Sequence, residues 1–278
     1  VAFRSTDDGQ TWEEVPMTGA APGWVNSVAG VGDTLYASFG MENGTALYRL
    51  DGDEWTRVDV GRGATASAIA TWDDQVYVAG TNADGTGAVW RSTDGETWEP
   101  VDMPTVEDVA FQTLSASPHG LIAVGYPGGV LGPAVGEVDD LTLTITADGV
   151  YTVTDAEGTV LAEAFQEDLD TGDPIEIVDP DTGEVVVAVE RQAIDAAWQQ
   201  VYAEADQGFE EPQGDFTMVA SLDGDTWVRL PLDEVLPPGF YPNYQAVGPN
   251  GILLSGWSEQ AIPIEGGSGQ QVWVGTTG

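Results

Sequence analysis

Ser5-Thr6-Asp7-Asp8-Gly9-Gln10-Thr11-Trp12 returns along the chain as Asp51-Gly52-Asp53-Glu54-Trp55, Ser92-Thr93-Asp94-Gly95-Glu96-Thr97-Trp98 and Ser221-Leu222-Asp223-Gly224-Asp225-Thr226-Trp227. Each copy is built to turn. The Asp carboxylate accepts backbone N–H bonds within the loop, the Gly supplies a positive φ, and Ser or Thr hydroxyls bond locally. The Trp that follows has a large apolar surface to bury against a neighbouring repeat.

Working outward, each box sits between strand-like runs. Val1–Ser5, Ala46–Leu50, Ala88–Ser92 and Phe216–Ser221 precede the boxes. Polar runs such as Thr56–Val60 and Glu99–Met103 follow them. Further upstream lie the apolar runs Leu35–Gly40, Val76–Gly80, Leu121–Gly125 and Ile252–Gly256, and ahead of those Val25–Val31, Ala64–Thr71, Val109–Ser115 and Tyr244–Gly248. Short apolar runs punctuated by Gly, Asp and Asn are strands and hairpins. Four strands per repeat describe the blade of a propeller. Trp12 to Trp55 and Trp55 to Trp98 are both 43 residues, a blade-sized period.

On these residues the chain resembles the Asp-box (BNR) repeat family, whose pattern is Ser-x-Asp-x-Gly-x-Thr-Trp. Ser5 to Trp12 matches in full; the copies at Ser92 and Ser221 are one residue shorter, and the copy at Asp51 lacks the Ser and the Thr. The resemblance implies an all-β propeller of four-stranded antiparallel blades, with about five blades present and two of them partial. It assigns a turn role to Ser5, Asp7, Gly9, Trp12, Asp51, Trp55, Ser92, Asp94, Trp98, Ser221, Asp223 and Trp227. It decides activity far less, since the family spans sialidases, other glycoside hydrolases, photosystem assembly factors and sorting receptors.

Trp98 to Trp227 is 129 residues, so the repeat is interrupted. Residues 130–214 are expected to form an inserted α+β subdomain between the second and third strands of one blade, with propeller blades at 1–129 and 215–278. Its strand-like runs are Leu141–Thr146, Tyr151–Thr154, Thr159–Ala164, Pro174–Val178 and Glu184–Val189. Arg191–Ala205 reads as a helix with Ile194, Ala197, Trp198, Val201 and Tyr202 on one face. The helix and the lack of a box speak against two degenerate blades in its place. Val1–Ser5 and Val272–Gly278 both align with third strands of a blade. A five-bladed ring closed by the two ends has one strand too many. A chain cut from a longer product with six to eight blades accounts for both ends.

The 47 acidic residues face seven Arg and no Lys, a formal net charge of −40. Such a surface repels nucleic-acid backbones and anionic membranes. Salt adaptation or a marine habitat explains the bias more simply than collection of divalent cations. No apolar run approaches the ~18 residues of a membrane span. Without Cys and with His119 as the only His, disulfides, thiolate metal sites and His-rich zinc sites are excluded.

Sialidase chemistry needs three Arg on a carboxylate, a Tyr–Glu pair and an Asp. Arg4, Arg49 and Arg91 share one repeat position ahead of their boxes, which makes them structural, and no Arg-Ile-Pro occurs. Arg57, Arg62 and Arg229 follow boxes and balance local carboxylates. The pairs Asp73-Asp74, Asp139-Asp140 and Glu210-Glu211 are solvated surface acids in so acidic a chain. Asp168, Asp170 and Asp173, and Asp179, Asp181 and Glu184, repeat the form Asp-x-Asp-Thr-Gly-acid. That form is a Ca²⁺ candidate, but its pattern departs from the EF-hand and reads first as two turns. His119 occupies a turn, and Tyr126, Tyr241, Tyr244 and Trp257 sit near loop ends. Asn43-Gly44-Thr45 is an N-glycosylation sequon. The expected function is a non-catalytic extracellular or cell-surface binding or assembly module for a protein or carbohydrate partner. A sialidase-like glycoside hydrolase and a structural protein that self-assembles through incomplete blades are the alternatives.

Overall fold

A computed structural model describes residues 2–276 apart from 6, 8, 20–22, 33, 42–43, 62, 108, 128–133, 139–140, 147–149, 166–173, 179–181, 183, 191, 193, 195, 197–198, 200–215, 232–239, 249–250 and 259–269. The chain is a β-propeller of four-stranded antiparallel blades. Its first sheet pairs β1 (Ala2–Arg4) with β2 (Glu13–Val15) across the first box. The second contains β3 (Trp24–Val31), β4 (Thr34–Met41), β5 (Gly44–Asp51) and β6 (Glu54–Val58), in that order. The third contains β7 (Thr65–Trp72), β8 (Gln75–Thr81), β9 (Gly87–Ser92) and β10 (Glu99–Pro100).

The fourth sheet starts with β11 (Val109–Ser117) and β12 (Gly120–Pro127) and finishes with β19 (Thr217–Ser221) and β20 (Trp227–Arg229). Leu121 of β12 pairs with Ser221 of β19, so the second and third strands of this blade are neighbours in space although the interrupting segment separates them in sequence. That segment makes its own meander of β13 (Ala134–Val138), β14 (Leu141–Ile145), β15 (Val150–Thr154) and β16 (Val160–Phe165), then a hairpin of β17 (Ile175–Val178) and β18 (Val185–Val189). Gln192, Ile194, Ala196 and Gln199 are helical, and Ile194 is buried. The meander has the strand order of a blade. The Asp155 carboxylate closes the turn between its last two strands by accepting the Glu157 and Thr159 N–H groups at 3.0 and 2.7 Å. The last sheet has three strands, β21 (Phe240–Gly248), β22 (Gly251–Ser258) and β23 (Gln270–Thr276).

The chain forms two compact units, Val1–Asp59 with Gly132–Ala203 and Val60–Leu131 with Glu204–Gly278. In the first, Val15, Ala37, Phe39, Tyr48, Leu50 and Trp55 share one core, with the Phe39 ring edge-on to Tyr48 at 5.0 Å and to Trp55 at 5.4 Å. In the second, β11 lies against β7 and β21. Tyr77, Val89, Phe111, Leu121, Val219 and Trp227 fill the space between its first two blades, and Ile122, Val124, Met218 and Leu254 pack towards the third.

The second strands β4 and β8 are buried along nearly their whole length, which puts apolar residues on both faces of each. Where second strands cross first strands closely, glycine is required. A Cβ on Gly80 would strike the Thr65 carbonyl oxygen, and one on Gly125 would strike the Val109 side chain.

Candidate functional site

Three of the boxes are hydrogen-bonded turns whose carboxylates, on Asp7, Asp94 and Asp223, point inward on their own loops, whereas Asp51 Oδ2 accepts the Arg49 Nε–H at 3.0 Å. Asp94 Oδ1 accepts the N–H groups of Glu96 and Thr97 at 2.9 and 2.8 Å and the Ser92 hydroxyl at 3.0 Å, while Gly95 N–H donates to Ser92 Oγ at 2.8 Å. Asp223 repeats this with Asp225 N–H, Thr226 N–H and the Ser221 hydroxyl. Asp7 accepts the Thr11 N–H and hydroxyl and the Ser5 hydroxyl. Donors converging on an anion favour the ionised form. The Thr97 and Glu96 N–H groups therefore hold Asp94 down at about 2, and the Thr11 and Thr226 N–H groups lower Asp7 and Asp223 in the same way. Gly9, Gly52, Gly95 and Gly224 all carry the positive φ the turn demands.

The box tryptophans do not share one environment. Trp55 and Trp227 are buried and Trp98 is half-buried, whereas Trp12 is 64% exposed. Burial between blades, the expectation for every copy, therefore fails at Trp12. Its two-stranded sheet leaves the ring against its own turn, where Nε1 donates to Gly9 O at 3.1 Å.

The fourth box also seats on the blade before it. Trp227 N–H donates to the Asp102 carbonyl at 3.3 Å, just past β10. Asp225 forms an ion pair with Arg91, and a Cβ on Gly224 would strike the Tyr77 hydroxyl. Burial pushes the Tyr77 phenol up, and the hydrogen bond to Asp225 raises Arg91. In the first unit Trp55 N–H donates to the Thr18 carbonyl at 2.8 Å, the same lock two repeats earlier.

Beside this lock the β7–β8 and β11–β12 turns border an open groove of about 440 Å³, lined by Thr71, Trp72, Asp73, Ala116, Ser117 and Pro118. Asp73 and Asp74 are the two central residues of a tight hairpin, with φ of 50° and 60°. The Trp72 ring leans edge-on against Tyr77 at 6.5 Å, which fixes one groove wall. On the other wall, Ser117 Oγ accepts the His119 N–H at 3.1 Å and shapes the turn that presents Pro118 and exposed His119. Apolar walls, two hydroxyls and one carboxylate can hold an apolar side chain with a cationic or N–H end.

Of the other sequence candidates, Arg4 pairs with Glu13 at 2.7 Å and Arg49 with Asp51 at 3.0 Å, so each of the three repeat-position Arg meets a carboxylate beside it. Arg229 donates to Thr217 Oγ1. Tyr126 packs in the second unit's core, and its phenol is raised by burial. Tyr241, Tyr244 and Trp257 lie on β21 and β22. Asn43, Arg62, Asp139-Asp140, Glu210-Glu211, Asp168, Asp170, Asp173, Asp179 and Asp181 lie outside the described residues. Glu184 is exposed, its N–H on Thr182 Oγ1. Among the described residues no three His, Cys, Asp or Glu side chains gather as metal ligands. Trp72, Thr71, Ser117 and Pro118 escaped sequence reasoning; the available signal was a Trp at a strand end outside any box.

No family model matches the chain, and no curated protein matches it. Among solved structures it is similar to YCF48 bound to D1 peptide, at 13% identity over 91% of this chain and 81% of that one, with a TM-score of 0.33. It is also similar to YCF48 from Cyanidioschyzon merolae, at 14% identity over 91% and 85% with a TM-score of 0.33. A third is a subtype N10 neuraminidase-like protein of A/little yellow-shouldered bat/Guatemala/060/2010, at 11% identity over 90% and 79% with a TM-score of 0.29. At that level of similarity the fold reading stands on the chain's own sheets.

Proposed function

We propose that the chain is a non-catalytic binding or assembly module of the Asp-box kind, working at an outer surface and docking a protein partner. The observation that carries this reading is the groove between the β7–β8 and β11–β12 turns, with Trp72 and Pro118 as its apolar walls and Asp73 at its rim. A rigid scaffold that presents its variable chemistry on hairpin turns is the arrangement of a recognition module. A net charge of −40 selects partners with a basic segment and speeds their approach. The box carboxylates Asp94 and Asp223 are used by their own turns.

The test is to pan a displayed peptide library against the whole chain and to assay a panel of fluorogenic glycosides, sialosides included. The expected result is a consensus of basic and apolar residues whose affinity falls about tenfold in Trp72→Ala, and no turnover above buffer. Glycoside turnover, or a consensus indifferent to Trp72→Ala, overturns the reading.

A further inference from the structure

The fourth box touches both walls of the Trp72 groove. A Cβ on Gly224 would lie 3.1 Å from the Trp72 ring, which belongs to one wall. A Cβ on Gly120 would strike the Ser221 carbonyl oxygen and lie 3.0 Å from Leu222 Cα. Gly120 ends the turn that presents Pro118, which belongs to the other wall. Leu121 pairs with Ser221, so the sheet itself holds that turn beside the box. All of these residues belong to the second unit.

Leu222 is out of keeping with its turn. Thr6 and Thr93 hold the same place in the first and third boxes. Leu222 is 82% exposed, the most exposed of the large apolar side chains among the described residues. So little of it is covered that the fold does not need an apolar residue there. A lone exposed Leu requires no explanation, but this one adjoins the turn of exposed Pro118 and the box that meets Trp72. The same turns carry Asp73, Asp74, Asp223 and Asp225, all exposed. Against these four carboxylates stands Arg91, paired with Asp225, so the rim of the groove is negative.

Resting on the reading of the groove as the docking site, we propose that its occupant is an arginine of a partner protein with a large apolar residue next to it, and that Leu222 selects that neighbour. The arginine stem lies between Trp72 and Pro118, and its planar head meets the indole and the Asp73 carboxylate. Arginine suits such a place better than lysine, because a guanidinium stacks on aromatic rings, pairs with carboxylates through two N–H groups and is weakly hydrated. The adjacent apolar residue covers Leu222 and removes its exposed area from water. A neutral or acidic segment leaves the rim carboxylates without a counter-charge.

The experiment titrates the whole chain, by fluorescence anisotropy, with synthetic peptides that carry an Arg-Leu or Leu-Arg step in Gly-Ser flanks. Counterparts have Lys in place of Arg, or Gly in place of Leu. The expected result is that the Arg-and-Leu peptides bind more tightly than the Lys peptides and about tenfold more tightly than the Gly ones. Rising salt should weaken all of them. Leu222→Thr, at a position where folding is not at stake, should leave the melting temperature unchanged. It should weaken the Arg-and-Leu peptides about fivefold and leave the Arg-and-Gly peptides as they were. Wild-type affinity in Leu222→Thr, or equal binding of the Leu and Gly peptides, overturns the role of Leu222. If Trp72→Ala still weakens binding in that case, the groove stands as the docking site. Affinity indifferent to Trp72→Ala overturns the groove itself. A preference for Lys over Arg, or no binding by any Arg peptide, overturns arginine as the occupant.

Discussion

Asp94 shows how much a single residue settles locally. Its carboxylate is fully outside the core, yet three donors within its own turn hold it near 2. A folded value below the ordinary 3.8 means that ionised Asp94 stabilises the fold. That contribution is fully present above the unfolded value and is lost as pH falls through the folded one. The Asp94 carboxyl carbon should therefore titrate by NMR with a midpoint near 2. Asp94→Asn should flatten the fall of melting temperature between pH 3.8 and 2; a midpoint at the ordinary value would contradict the turn's hydrogen bonds. The box tryptophans are a second case at this scale. Trp227 is 3% exposed and Trp12 is 64% exposed. In denaturant unfolding Trp227→Ala should cost about 3–5 kcal/mol, whereas Trp12→Ala should stay within about 0.5 kcal/mol. The pattern that makes both residues part of a box is legible in the sequence. What covers each is not, because the covering atoms belong to another blade.

At the scale of elements, the blade is a meander whose strands were legible from apolar runs and turn residues. The β-bulges in β3, β7 and β11, where the register shifts by one residue, were not, because one additional polar residue inside a short run leaves the alternation of a strand almost unchanged. Glycine opposite the bulge is the more readable sign. At Gly80 a methyl group would meet the Thr65 backbone, which cannot rotate away. Gly80→Ala should lower stability by about 1–3 kcal/mol. Gly158→Ala, at φ +82° with open space around it, should cost only the roughly 1–2 kcal/mol of its backbone conformation. Equal losses for the two in chemical denaturation would show that close strand approach is not what Gly80 serves. The interrupting segment is also clearer in three dimensions. Its helix was visible as a periodic face around Ile194, but the blade-like order of β13 to β16 was hidden because Asp155 closes its turn without a box.

For the whole molecule, charge dominates. Forty uncompensated negative charges repel one another across a folded surface more strongly than along an expanded chain. Screening shortens from ~10 Å at 0.1 M salt to ~3 Å at 1 M. Melting temperature should therefore rise steadily over that range in sodium chloride, and a flat or falling curve by calorimetry would refute self-repulsion as a limit on stability. The acidity, the 43-residue period and the closing of each box turn were determined by the sequence alone, since a turn's donors and acceptors lie within a few residues of one another. Tertiary structure alone decided that Asp225 meets Arg91, 134 positions away, that Trp72 and Pro118 face one groove, and that Leu222 falls beside the turn that carries Pro118. Those contacts depend on how one blade stacks on the next, and stacking is driven by apolar area that carries no record in its sequence of which partner it will cover.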